Sequence, residues 1–159
     1  MPKSDRTSGR AKLETFHFTQ ENYMPIAASA ALRAAVFRAL TANPALISLL
    51  GGAKIYDETP RGISFPYVTL GEAHVADFST GSEPGEEHQL TLHGWSREGG
   101  HRQAHLIAGA LLQALDDAPL ALADHHLVNF RFSVADVRRQ ADGRTYHALV
   151  RFRAVTEPI

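Results

Sequence analysis

Two stretches near the C-terminus alternate apolar and polar side chains, and a turn separates them. Over 127–137, Val128, Phe130, Phe132 and Val134 interleave with Asn129, Arg131, Ser133 and Ala135. Over 144–156, Tyr146, Ala148, Val150, Phe152 and Ala154 interleave with His147, Leu149, Arg151 and Arg153. A period of two sends successive side chains to opposite faces of a strand. The segment RRQADG joins the two runs, and Asp142-Gly143 is the strongest short-range hairpin signal in the chain. The pattern predicts an antiparallel pair with one face on a helical layer and the other carrying arginine.

The helical layer is legible too. Residues 101–116 place Ala104, Ile107, Ala108, Leu111 and Leu115 at helical spacing, and Ala118-Pro119 ends the run. Residues 27–42 are alanine-rich with Leu32, Val36, Ala39 and Leu40 on one stripe, and Ser29 is the expected N-cap. Asn43-Pro44 closes that helix, because a residue before proline avoids the α region. Pro44 opens a short helix to Leu50, which Gly51-Gly52 terminates. A short strand is expected at Lys54–Tyr56, then a loop through Pro60, Gly62 and Pro66. Residues 67–75 and 88–95 read as a second hairpin, with Gly94 as a bulge. The polar, acidic segment 76–87 between them reads as a long mobile tip.

Helices and hairpins are thus segregated along the chain. The expected class is α+β, a mostly antiparallel sheet packed on one face by two main helices. A length of 159 residues fits one such domain without disulfides, and the chain has no cysteine. Residues 26–159 are expected to form it, and residues 1–25 to be a disordered N-terminal extension. The first 23 residues are polar and lack the apolar core of a signal peptide. No apolar run approaches the roughly 20 residues of a membrane helix, and no membrane partner is expected. The formal net charge of -1 offers no global field for nucleic acid.

Nine histidines invite a metal or catalytic reading. In HGWSREGGHRQAH, His101 and His105 are four apart on the long helix, a spacing at which two imidazoles can share a metal, and His93 is the available third ligand. Against this, the zincin pattern needs glutamate directly after the first histidine, and Arg102 stands there instead. The reading from these residues is no catalytic, metal or cofactor site, with a histidine-dependent metal enzyme on His93, His101 and His105 as the alternative. Asp116-Asp117 reads as solvated charge at a helix end.

Two other features point to partners. Asp77, Phe78, Glu86 and Glu87 lie on the acidic tip, where an exposed aromatic suits docking. Arg131, Arg151 and Arg153 form a row on the polar sheet face, with Arg138, Arg139 and Arg144 near the turn. No aromatic residue interleaves with that row, which weakens a nucleic-acid platform; a module gripping nucleic acid with the arginines is a further alternative. Acidic tip and basic face together suggest head-to-tail self-association, which closes into a ring if the rotation permits.

Three motifs then stand in order: Ile55–Val68 as I-Y-D-x-x-P-x-G-x-x-F-P-Y-V, Leu92–Gly100 ending W-S-R-x-G-G, and Asp142–Arg153 as D-G-R-T-x-H-x-x-x-R-F-R. With them, residues 28–157 resemble a family of tail completion or tail terminator proteins found in siphophages and gene transfer agents, similar to the terminator of phage lambda. The resemblance implies small α+β subunits in a hexameric ring that ends the tail tube and joins it to the head. The implied partners are further copies of the chain, the tail tube protein and a head-side connector or stopper protein, with DNA only passing through. It places the protein in the tail of a virion or phage-like particle assembled in the bacterial cytoplasm. It carries over no catalytic residue and no cofactor. Tyr56, Pro60, Pro66, Trp95 and Arg97, which match the motifs, suit fold or interface roles.

Overall fold

The computed structural model describes residues 25–159. The extension expected over 1–25 lies, but for its last residue, outside them. Helix α1 runs Pro25–Thr41, α2 Pro44–Leu50 and α3 Arg102–Leu115. The strands are β1 Ile55–Tyr56, β2 Tyr67–Asp77, β3 Glu86–Ser96, β4 His125–Arg139 and β5 Tyr146–Pro158. They form one sheet in the order β1-β2-β3-β5-β4, antiparallel except for the β1–β2 pair.

Local chemistry sets most boundaries. The Asn43 side chain accepts the Leu46 N–H at 3.0 Å, and Pro44 fills the first turn of α2, where a missing N–H costs nothing. Gly51 ends α2 in the left-handed conformation, at φ 76°. The β4–β5 turn is held by Asp142, whose carboxylate accepts the Arg144 and Thr145 N–H groups and the Thr145 hydroxyl. Those bonds, led by the Thr145 hydroxyl, hold its pKa down to about 2. The expected N-cap at Ser29 is displaced: α1 begins at Pro25, and Ser29 sits inside it, buried.

The helices cover one face of the sheet. Leu32, Val36 and Leu40 from α1, Leu46 and Leu50 from α2, and Ile107, Leu111 and Leu115 from α3 pack onto Val68, Leu70, Leu90, Leu92, Phe130, Val150 and Phe152. Each such buried side chain contributes roughly 1.5–3 kcal/mol. The α+β expectation therefore holds, with α2 joining the two main helices in the layer.

Two readings of the strands are corrected. Gly94 is no bulge; it pairs in register with Val68 on one side and Ala148 on the other. A Cβ there would stand 2.6 Å from Ile107 Cγ2, so the glycine lets α3 lie close on the sheet. The irregularity falls instead in β2, between Leu70 and Ala73. In β4, the apolar half of the alternation was expected in the core, yet only Phe130 is buried. Val128, Phe132 and Val134 are 49%, 41% and 43% exposed. Two register shifts, at Leu127/Asn129 and Phe132/Val134, account for much of this, because one extra residue flips every following side chain to the other face.

Gly94→Ala should lower stability by about 1–3 kcal/mol, the usual cost of overpacking a filled core. Thermal unfolding checks this, with a midpoint drop of roughly 2–4 °C per kcal/mol. An unchanged midpoint would show that α3 does not need the close approach.

Candidate functional site

The face away from the helices is where the sequence places its arginines, and strand register arranges it in rows. Tyr67, Trp95, His147 and Arg138 lie side by side, as do Thr69, His93, Leu149 and Asp136. Thr91, Arg151 and Val134 follow, then His74, Gln89, Arg153 and Arg131.

The residues expected to contact partners are brought together only in part. Arg153 donates to Glu87 at 2.8 Å, and its guanidinium lies 5.4 Å from the centre of the Phe78 ring. Arg151 donates to the Thr91 hydroxyl at 3.2 Å. Arg131 stands across the ladder from Arg153 and reaches Asp116 at 3.5 Å. Asp77 accepts the Ser79 hydroxyl at 2.6 Å. The tip is shorter than expected, because β2 extends to Asp77 and β3 begins at Glu86. Glu86 is therefore no surface residue; it is 1% exposed on the helix side and accepts the Thr156 hydroxyl. Phe78, 46% exposed, remains on the arm. Two of the three arginines of the row, Arg131 and Arg153, are thus paired with carboxylates, which weakens the nucleic-acid alternative.

The structure separates the three histidines of the metal alternative. His101 is the residue before α3 and meets Tyr146 edge-on, on the helix side of the sheet. His105 is exposed on α3. His93 points to the opposite face, with the sheet between. Among the described residues no group of three or more histidine, aspartate or glutamate side chains is placed to hold a metal ion.

His93 instead joins a cluster that single-strand patterns do not reveal. Its Nδ1 lies 2.6 Å from His147 Nε2, and its Nε2 lies 3.3 Å from Glu72 Oε1. One tautomer set satisfies all three groups: His147 donates to His93, and His93 donates to Glu72. Trp95 stacks on His147 at 4.2 Å and 11°, Tyr67 stacks on Trp95, and Arg97 lies 4.2 Å over Phe65 beside Tyr67. Aromatic residues thus do stand on the arginine face, contrary to the reading from sequence, but they stack on one another. Burial, then the neighbouring His93, pushes the His147 pKa down. Burial also lowers that of His88, which sits on the helix side and donates to Thr156 at 2.7 Å. The only signal for the pair in the chain is that both histidines fall on polar positions of alternating runs; which strands adjoin decides that they meet.

Asp116 and Asp117 are the second group missed. They are not merely solvated. Phe132 donates its N–H to Asp116 Oδ1 at 2.8 Å, and Asp117 donates its own N–H to the Phe130 carbonyl at 2.8 Å. The end of α3 thereby covers the middle of the outer edge of β4.

Comparison with known proteins bears on what this arrangement serves. Residues 34–157 match the family described as Tail completion protein gp17. The chain is 27% identical over 128 residues to Tail completion protein gp17 of Bacillus phage SPP1, covering 79% of this chain and 92% of that protein. Among solved structures it resembles a chain from the virion of a native gene transfer agent particle, with a TM-score of 0.77 and 33% identity, over 82% of this chain and 97% of that one. The structure of bacteriophage SPP1 gp17 has the same fold, with a TM-score of 0.58 and 24% identity over 80% of this chain and 89% of that one.

The depressed histidines fix the sign of a pH dependence. Between their folded values and the usual 6.5, the unfolded chain binds more protons than the folded one. Their contribution to stability is complete above pH 6.5 and shrinks as pH falls below it. The melting midpoint should drop between pH 7.5 and 5.5, and by less in His147→Asn than in the parent. Equal drops in the two proteins would remove His147 from the account.

Proposed function

The chain belongs to the Tail completion protein gp17 family, and from that premise we propose that it ends the tail tube as a ring of identical subunits and joins the tube to the head-side connector or stopper. The coarse role needs no proposal: it is a tail completion protein, a structural component of a virion or gene transfer agent particle and not an enzyme. The likeness to a chain of an assembled particle, over 82% of this chain and 97% of that one, is the observation that carries the finer reading. On that reading six copies surround a channel through which DNA passes, assembly takes place in the bacterial cytoplasm, and the neighbours are the tail tube protein and a connector.

Physical features support it. Near-neutral net charge suits a subunit that assembles over one that grips DNA. A sheet with one uncovered face and dissimilar edges offers different surfaces for tube, connector and neighbour. Of the residues first picked as contacts, Asp77, Phe78 and Arg131 serve as surface contacts. Glu87 and Arg153 shape the stem of the arm, Arg151 is tied to Thr91 in the middle of the sheet, and Glu86 anchors the stem from inside.

Light scattering over a concentration series, with negative-stain images of the same samples, should give rings with a central hole. A monomer at every concentration, even with tail tube protein added, would sink the reading. Replacing the tip 79–84 by a minimal turn should leave the melting midpoint unchanged, because Phe78 and Gly85 already close the hairpin at 2.8 Å. It should weaken assembly by ~tenfold, the effect of about 1.4 kcal/mol.

A further inference from the structure

Both outer edges of the sheet are covered over one half and open over the other. At the β2 edge, β1 pairs with Val68 and Thr69, and Arg33 donates to the Leu70 and Gly71 carbonyls. Beyond the bulge, no strand pairs with the outer side of 72–77 among the described residues. At the β4 edge, Asp116 and Asp117 hold Phe132 and Phe130, and Leu122 bridges His125. Beyond the second bulge, no strand lies against the outer side of 134–139 among the described residues. The two open halves are of equal length and lie at opposite ends of the sheet.

Bare strand edges are templates for pairing, and a monomeric protein normally blunts them. Here blunting is applied to half of each edge only. Alternation of the ladder gives the outward groups. Phe132 turns its N–H outward, the bulge resets the phase, and Ala135, Val137 and Arg139 then face outward. On β2 the same count, from Val68 bonded to Lys54, gives Ala73, Val75 and Asp77. Three residues on each side, each with one N–H and one C=O, make about six backbone hydrogen bonds. Directions agree as well: the sheet alternates across β2, β3, β5 and β4, so a second copy set beside β4 in the same sense presents its β2 antiparallel. Charges are complementary. The β2 segment carries Glu72 and Asp77 with no lysine or arginine, and the β4 segment carries Arg138 and Arg139 against one carboxylate, Asp136, which Arg138 already pairs with, so the two segments are net acidic and net basic.

We propose that the open half of β4 pairs with the open half of β2 in a second copy of this chain, extending one antiparallel sheet from subunit to subunit. The contact joins unlike surfaces, so it is heterologous and propagates around a ring. It rests on the ring reading above and names its interface. Because the open halves sit at opposite ends, each neighbour is shifted along the strands by about six residues, or ~20 Å. A stagger of that kind, repeated at every contact, tilts the strands as closing a sheet requires.

The absence of cysteine makes the test clean. His74 and Arg138 are exposed on the uncovered face, and pairing of Val75 with Val137 of the neighbour sets them opposite each other. Under mild oxidation, His74→Cys mixed with Arg138→Cys should give a covalent dimer, and neither variant alone should. The double variant should give a ladder that ends at the ring. Ala135→Pro removes an outward N–H without touching the β5 ladder, as edge positions allow; its melting midpoint should hold while assembly weakens by ~tenfold or more. Rings without cross-links, or with Ala135→Pro assembling normally, overturn the edge pairing and leave the ring reading standing. Neither rings nor cross-links overturn both.

Discussion

The seat of α3 on the sheet is the contact on which the other elements depend. Ile107 enters the space that Gly94 leaves, and β3 and β5 run beneath the helix as the centre of the sheet. With that centre fixed, β2 and β4 have only one place each, on either side. The short α2 then fills in against α3, with Leu46 and Leu50 buried. A side chain at position 94 would lift the helix and loosen all of these at once.

The parts of the fold that depend on local chemistry were readable in the chain. The Asn43-Pro44 start of α2, the Asp142-Gly143 turn and the apolar stripe of α3 each follow from a few neighbouring residues. What escaped depends on pairing between distant strands. Val134 looks like a core residue in its own run, and becomes a surface one because the bulge directly before it resets the face. Glu86 looks like part of an acidic loop, and is buried because β3 begins one turn of the pleat sooner than composition suggests. No periodicity marks a bulge whose cause is the partner strand.

The functional surface shows the same division. The arginine row is where alternation puts it, yet Arg153 and Arg131 are paired with Glu87 and Asp116, and Arg151 is tied to the Thr91 hydroxyl, all on other elements. Conversely, the most tightly connected group on that face, His93 with His147, Trp95 and Glu72, assembles from three strands and has no signature in any one of them. The half-covered edges are likewise products of topology. Asp116 and Asp117 look like ordinary charge at a helix end until β4 is seen to pass beside them.

The shared hydrogen between His93 and His147 has a consequence for how the particle titrates. His147, hydrogen-bonded to His93 and stacked on Trp95, is held below the usual imidazole range by burial first and then by His93. His88, enclosed beside Thr156, resists protonation separately. A count of nine histidines therefore overstates the positive charge the folded subunit gains when its surroundings turn mildly acidic. The enclosed imidazoles His88 and His147 stay neutral at a pH where exposed ones take up protons, so mild acid adds less charge to the folded chain than composition alone would give.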